Sequence, residues 1–176
     1  ALGNAEFLAL ACMMQMIRPG APNIYAVLST VADMRTGAYA SGAIETGVLQ
    51  MAHTMMANFY NVPSGGYIGL TNAQTTDAQS GYETGMNTTA ALLAGSSLFN
   101  MGGLLGGLMA FDFAKAVMDN EIAMMLKQVK KGVRFSEEGL CLDLIKEIGP
   151  GGNYIEAMHT VKNMREVAFF PKVAGR

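Results

Sequence analysis

Tryptophan is absent from this 176-residue chain; cysteine and histidine occur twice each, proline five times, and only 15% of the residues are charged. Each scarcity excludes something. Cys12 and Cys141 lie far apart, without a C-x-x-C or Cys/His spacing around them, so neither a disulfide framework nor a zinc site is written in the sequence. Both sit in apolar helical contexts and read as reduced core thiols of a cytoplasmic protein. His53 and His159 fall on predicted helices with no second ligand three or four positions on, which leaves no metal constellation. Twelve basic against fourteen acidic residues give a net charge of −2, with no footprint for nucleic acid and no polybasic patch for a membrane. No apolar run reaches the roughly 18 residues of a spanning helix, and the first residues lack a signal-peptide pattern.

What the chain has in quantity is apolar and small: 51% hydrophobic residues, 21 glycines and 15 methionines, with a mean hydropathy of +0.24. That composition suffices for one buried core. Small neutral or zwitterionic ligands are the expected partners. Low charge with so much methionine and glycine also predicts that other protein covers much of the surface, both the other subunits of a homo-oligomer and a further part of the same polypeptide.

Periodicity predicts a helix over Asn4 to Ile17, with Phe7, Leu10, Met14 and Ile17 on one stripe and Arg18-Pro19-Gly20 as its stop. A strand follows at Ile24 to Leu28, then a long polar connection from Ser29 to Gly42. The second helix carries an apolar stripe of Ile44, Val48, Met51, Met55 and Phe59 and ends at Asn61-Val62-Pro63, ahead of a strand at Tyr67 to Leu70. After a polar loop, a helix spans Asp77 to Ala94, closed by Gly95 as a left-handed cap. Its interior Gly81 and Gly85 cost stability unless a neighbour packs close there. A third strand, Ser97 to Met101, runs into the turn Gly102-Gly103-Leu104-Leu105-Gly106-Gly107. The remainder is helical: Phe111 to Lys131, Ser136 to Ile148 with Ser136 as N-cap, and Tyr154 to Ala168.

Strand and helix alternating three times predict an α/β fold with parallel strands and right-handed crossovers. Three strands cannot close a barrel, and a full (β/α)8 barrel takes about 200 residues or more. The pattern is therefore expected to be the carboxyl-terminal part of such a barrel, residues 1–176 forming a partial barrel domain with a helical extension from about residue 111. A free-standing small α/β domain is the alternative.

In α/β proteins chemistry collects where strands end. The Ser29–Gly42 connection is far longer than the roughly 2 to 6 residues usual between strand and helix. Within it, Asp33 and Arg35 either pair with each other or hold a charged substrate group, and Tyr39 offers an aromatic wall. After the second strand, Thr71, Asn72, Gln74, Thr75 and Asp77 form a dense row of hydroxyl, amide and carboxylate groups. Asp77 also reads as a helix N-cap, whereas Asn72 and Gln74 orient and polarise without acid–base power. Glu83, about one and a half turns further on, reads either as catalytic or as a solvated helix carboxylate. The GGLLGG turn lacks the Lys-Ser/Thr of a phosphate loop, so its glycines are expected to permit close backbone approach to a ligand or partner. No Ser-His-Asp or Cys-His nucleophile can be assembled.

Three separated motifs, VADMRTGAY (Val31 to Tyr39), IGLTNAQTTDAQSGYE (Ile68 to Glu83) and EIGPGGNYIEAMHT (Glu147 to Thr160), resemble the trimethylamine methyltransferase family of methylotrophic methanogens and its bacterial glycine betaine methyltransferase relatives. The likeness runs from RPGAP at Arg18 to FFPK at Phe169. It implies a TIM barrel, and removal of a methyl group from a tertiary or quaternary amine, trimethylamine first, to the Co(I) corrinoid of a cognate carrier protein. On that resemblance the nucleophile is cobalt, so the chain's own task is to aim a methyl group, exclude water and stabilise the departing amine. Tyr25, Tyr39 and Tyr67 are then implied as cation–π faces, with Asp33, Arg35 and Glu83 as further substrate contacts and Thr71, Asn72, Gln74, Thr75 and Asp77 as the catalytic loop. Trimethylamine-specific members carry pyrrolysine, and relatives acting on quaternary amines lack it. The resemblance puts that position in loop 72–77, where this sequence has standard residues only. A non-catalytic amine-binding or assembly module is the competing expectation.

Overall fold

The computed structural model describes residues 1–133 and 135–175. These form two compact units, Ala1–Leu126 and Lys127–Arg176. The first contains α1 (Leu2–Ile17), β1 (Val31–Ala32), β2 (Tyr39–Ala40), α2 (Ile44–Phe59), β3 (Gly65–Gly66), α3 (Ala78–Leu93), β4 (Leu98–Phe99), β5 (Leu104–Leu105) and β6 (Ala110–Phe111), and α4 (Phe113–Lys131) crosses the boundary.

Three backbone segments run parallel in sequence order. Tyr25 bridges Ser64, and β3 pairs with β4 so that Gly65 faces Leu98 and Gly66 faces Phe99. The Tyr25 N–H donates to Pro63 O at 2.8 Å, the Gly65 N–H to Tyr25 O at 3.1 Å, and the Asn100 N–H to Gly66 O at 2.9 Å. With α2 and α3 as the connections, this is the expected mixed α/β order.

The strands themselves are shorter than predicted and partly displaced. Ile24–Leu28 reduces to the bridge at Tyr25, Ser97–Met101 to Leu98–Phe99, and pairing occurs just before Tyr67–Leu70 rather than within it. Strand propensity scores side chains that suit a pleated, half-buried surface and scores glycine against. Here close backbone approach selects glycine, because a Cβ on Gly65 would lie 2.6 Å from Leu98 Cβ and 3.0 Å from Leu98 O. The segments expected as a loop and a glycine turn each contain an antiparallel hairpin instead, β1 with β2 and β5 with β6.

Both connecting helices invert the usual amphipathic rule. The apolar stripe expected to be the core face of α2 points outward, with Met55 68% and Phe59 78% exposed, while Thr46, Gly47, Gln50, Thr54 and Ala57 are buried. In α3 the buried positions are Ser80, Thr84, Asn87, Thr88 and Ala91, one helical stripe of small and polar side chains. Such faces let α2 and α3 pack closely: a Cβ on Gly47 would lie 2.7 Å from Asn87 Oδ1. Gly81 and Gly85 do not serve that purpose, since nothing lies within 4 Å of a Cβ at Gly85 and only Met118 Sδ approaches one at Gly81, at 4.0 Å. α1 buries no residue, so its stripe and Cys12 are not core; Cys141 is half-buried. A small aromatic cluster ties α1 and α2 to the first parallel segment. The Tyr25 ring sits 4.5 Å from Phe7 and 6.3 Å from Tyr60, and its hydroxyl donates to Asn4 Oδ1 at 3.1 Å.

α3 begins with a reciprocal capping box. Asp77 Oδ1 accepts from the Ser80 N–H at 3.0 Å and Ser80 Oγ accepts from the Asp77 N–H at 3.0 Å. Gly95, at φ +94°, follows its C-terminus, as a left-handed cap requires.

In the second unit, the helix expected over Ser136 to Ile148 is split into α5 (Glu137–Leu140) and α6 (Leu142–Ile148) by Cys141 in the left-handed region at φ 50°. Ser136 is its N-cap, Oγ accepting from the Gly139 N–H at 3.0 Å. α7 (Met158–Val167) starts later than expected. Among the described residues no helix is long and apolar enough to cross a membrane.

Two stability predictions follow from this packing. The Ser80 N–H holds the Asp77 carboxyl below its ordinary range, so the cap's charge-dependent stabilisation is present at neutral pH and is lost as pH falls through that lowered value. Asp77→Asn keeps an acceptor at the cap. The Tm gap between wild type and Asp77→Asn should therefore shrink from pH 7 to pH 3 in thermal melts. Gly65→Ala forces β3 and β4 apart, and urea unfolding should register a loss of about 1–3 kcal/mol.

Candidate functional site

Parallel segments send their connections out of the same sheet edge, and the three connections meet at Asn72. Ser41, just after β2, approaches from the first, its Oγ donating to Asn72 Oδ1 at 3.2 Å. The turn between β5 and β6 approaches from the third: the Gly107 N–H donates to Thr71 O at 2.9 Å and the Gly106 N–H to Ala73 O at 2.8 Å. The close approach these glycines permit is to the chain's own loop, where a ligand or partner was expected. Gly106 and Gly107 have φ of +56° and +65°, and a Cβ on either would sit 3.2 Å from Gln74 Oε1 or Tyr39 O respectively.

Glu83 reaches back from α3 and ties this loop down rather than standing in solvent. Its Oε2 accepts from Thr71 Oγ1 at 2.6 Å and from the Asn72 N–H at 2.8 Å, and its Oε1 accepts from Gln79 Nε2 at 2.9 Å. An ionised acceptor strengthens each of these bonds. Gly42 makes the fit possible, because a Cβ there would lie 2.1 Å from Glu83 Oε2 and 2.7 Å from the Asn72 nitrogen.

The remaining loop side chains are open. Gln74 and Thr75 are exposed, Gln74 Nε2 donating to Asn72 O at 3.2 Å and Thr75 Oγ1 to Asp77 Oδ2 at 3.2 Å. Thr76 Oγ1 donates to Asp112 Oδ2 at 2.5 Å, the main reason the Asp112 carboxyl is held low. Tyr67 stands at the exit of β3, 47% exposed. The Tyr39 hydroxyl is buried without a partner, and that burial raises its pKa.

Three predicted contacts are not brought to the loop. Tyr25 is fully buried in the aromatic cluster. Asp33 and Arg35 order the turn between β1 and β2, with the Arg35 N–H donating to Asp33 Oδ1 at 2.9 Å and Arg35 Nε 3.6 Å from the same oxygen.

Sequence reasoning missed Ser41, Gly42 and a buried ion pair beneath the loop. Lys115 and Asp119 are fully enclosed in α4, where the only signal was their i, i+4 spacing. Lys115 Nζ donates to Asp119 Oδ1 and, at 3.0 Å, to Thr84 Oγ1. Among the described residues no cluster of three or more His, Cys, Asp or Glu side chains is arranged to hold a metal ion. Among the described residues the site is thus a row of hydroxyls and amides with two engaged carboxylates, Glu83 and Asp77, an arrangement able to orient a ligand.

The sequence model of the trimethylamine methyltransferase (MTTB) family matches residues 1–176. Glycine betaine methyltransferase of Desulfitobacterium hafniense (strain Y51) is 40% identical over 176 residues, covering 99% of this chain and 37% of that protein. Trimethylamine methyltransferase MttB of D. hafniense (strain DSM 10664 / DCB-2) is 33% identical over 162 residues, 92% of this chain and 33% of that protein. Proline betaine:corrinoid methyltransferase of Eubacterium limosum is 32% identical over 176 residues, 98% of this chain and 36% of that protein. The chain therefore spans about a third of the length of these relatives. A match along its whole length means that the chain belongs to the trimethylamine methyltransferase family.

Proposed function

We propose that this chain supplies the amine-orienting part of a methyltransferase that moves a methyl group from a methylated amine to the corrinoid of a separate carrier protein. The observation that carries the reading is the convergence of three strand-exit connections on Asn72, in a loop of amides and hydroxyls with no nucleophile of its own. Such a donor set fits a reaction whose nucleophile arrives on a second protein. The corrinoid, as methyl acceptor, supplies the electron pair that displaces the amine.

The chain's residues then have positioning roles. Tyr67, exposed at the exit of β3, offers a ring face to a methylated ammonium. Thr71 and Asn72, held by Glu83, set the depth and orientation of the amine. Gln74, Thr75 and Asp77 line its open side, and Tyr39 adds a hydroxyl that has no other partner. Holding the amine so that one methyl lies in line with the incoming acceptor is worth orders of magnitude in rate, and small displacements lose it.

Two observations support a quaternary amine ahead of trimethylamine, which the sequence motifs put first. The glycine betaine enzyme is the more similar of the relatives named above, and positions 72–77 read Asn-Ala-Gln-Thr-Thr-Asp. The parallel order of Tyr25, β3 and β4 supports their belonging to a larger barrel-type sheet with a helical extension from about residue 111, and the outward apolar stripe of α2 supports coverage by other protein. Because the chain spans about a third of its relatives, a second reading stands beside the first: an amine-binding module that does not itself transfer.

The deciding experiment mixes the full chain with a reduced corrinoid protein and, separately, trimethylamine, glycine betaine and proline betaine, following methylation of the corrinoid by absorbance. Transfer from one of them is expected. Amine binding by calorimetry without transfer favours the second reading, and neither binding nor transfer removes both. Glu83→Ala, which releases Thr71 and Asn72 together, should lower kcat by about tenfold or more, whereas Arg35→Ala in the β1–β2 turn should leave transfer within about twofold.

A further inference from the structure

Lys115 and Asp119 are the one fully buried ion pair among the described residues, and no step of methyl transfer calls for them. As a stabilising device such a pair is weak, because desolvating both charges offsets their attraction, and apolar replacements of similar size are often neutral or better. Its geometry gives it a different use. The Asp119 Oδ2 accepts from the Gly103 N–H at 2.8 Å. Lys115 Nζ donates to Thr84 Oγ1 at 3.0 Å, and Thr84 Oγ1 in turn donates to Gly69 O at 3.0 Å. The pair therefore grips the exit of β3 at Gly69, through Thr84, and the exit of β4 at Gly103 directly. Neither glycine has room to shift freely: a Cβ on Gly69 would lie 2.6 Å from Thr88 Cγ2, and one on Gly103 would lie 2.5 Å from the Phe111 ring.

Gly103 is also the base of the β5–β6 hairpin, since its carbonyl accepts from the Asp112 N–H at 2.8 Å. That hairpin carries the Gly106 and Gly107 N–H groups that bind Ala73 O and Thr71 O. Moving Gly103 moves the two donors that hold the catalytic loop. We propose that Lys115 and Asp119 are positioning residues: they fix the register between the β5–β6 hairpin and loop 71–77, and so the aim of the amine. This rests on the function proposed above, which is why its test has a readout that does not need turnover.

The test is the double variant Lys115→Met/Asp119→Leu, which keeps the volume and removes the charges, with Lys115→Met/Asp119→Asn as the milder change. The double variant should melt within a few degrees of wild type. Its Gly103 and Gly69–Asn72 amides should exchange with deuterium at least about tenfold faster. Its kcat should fall about tenfold to a hundredfold with KM little changed, the split expected of lost alignment rather than lost binding. Lys115→Met/Asp119→Asn removes both charges yet keeps an acceptor for Gly103, and should fall between the two. Wild-type amide exchange at Gly103 in a folded variant overturns the proposal, and so does wild-type kcat. Should Lys115→Met/Asp119→Leu not fold, Lys115→Met/Asp119→Asn is judged by the same two measurements. If the wild-type chain transfers no methyl group, the functional reading fails, and exchange at Gly103 alone decides whether the pair braces the hairpin.

Discussion

Everything in the first unit depends on how little backbone pairing holds its sheet together. One bridge at Tyr25–Ser64 and two residue pairs between β3 and β4 supply a handful of hydrogen bonds, each worth about 1 kcal/mol net. Most strand-exit carbonyls and amides thus lie outside the ladder, and buried backbone groups without partners are costly. The helices provide those partners. Thr84 donates to Gly69 O and Asn87 Nδ2 to Gly42 O, while Glu83 accepts from the Asn72 N–H.

This explains the inverted face of α3. A face that must reach loop backbone with hydroxyls, amides and a carboxylate cannot also be an aliphatic stripe, so in α3 the large apolar residues Tyr82, Met86 and Leu93 stand exposed instead. Small side chains on the inner faces allow the close approach at Gly47 and Asn87, which in turn brings Glu83 within reach of Thr71. The polarity of the site and the tightness of the helix pair are the same feature.

The parallel βα order, the N-cap at Asp77 and the polar loop at 71–77 were legible because each is local: alternation of patterns, an N-cap residue ahead of a helix, a cluster of turn formers. The strand positions were not, because Gly65 is chosen by the nearness of Leu98, a contact between residues 33 apart in the chain that local preference cannot express. The core face of α2 was misassigned for a similar reason. A period of 3.6 finds the apolar stripe, and only the neighbours decide whether that stripe faces in. Glu83 was identified as a candidate without its role, since its partners Thr71 and Asn72 come from the preceding loop. Lys115 and Asp119 were invisible among other i, i+4 charges.

Charge is scarce here, and four carboxylates do the same thing. Asp77 accepts from the Ser80 N–H, Glu83 from Asn72, Asp112 from Ala114 and Asp119 from Gly103. Each fixes a turn, an exit or a helix start. At Asp77 and Asp112 these hydrogen bonds hold the carboxyl below its ordinary range, which makes each a poorer base. Displacing a methyl group from an ammonium nitrogen requires no proton to be removed: the nitrogen leaves with the electron pair of the broken bond. Acids spent on geometry suit the methyl transfer proposed above, in which the chain would set the angle and distance at which the methyl group is presented.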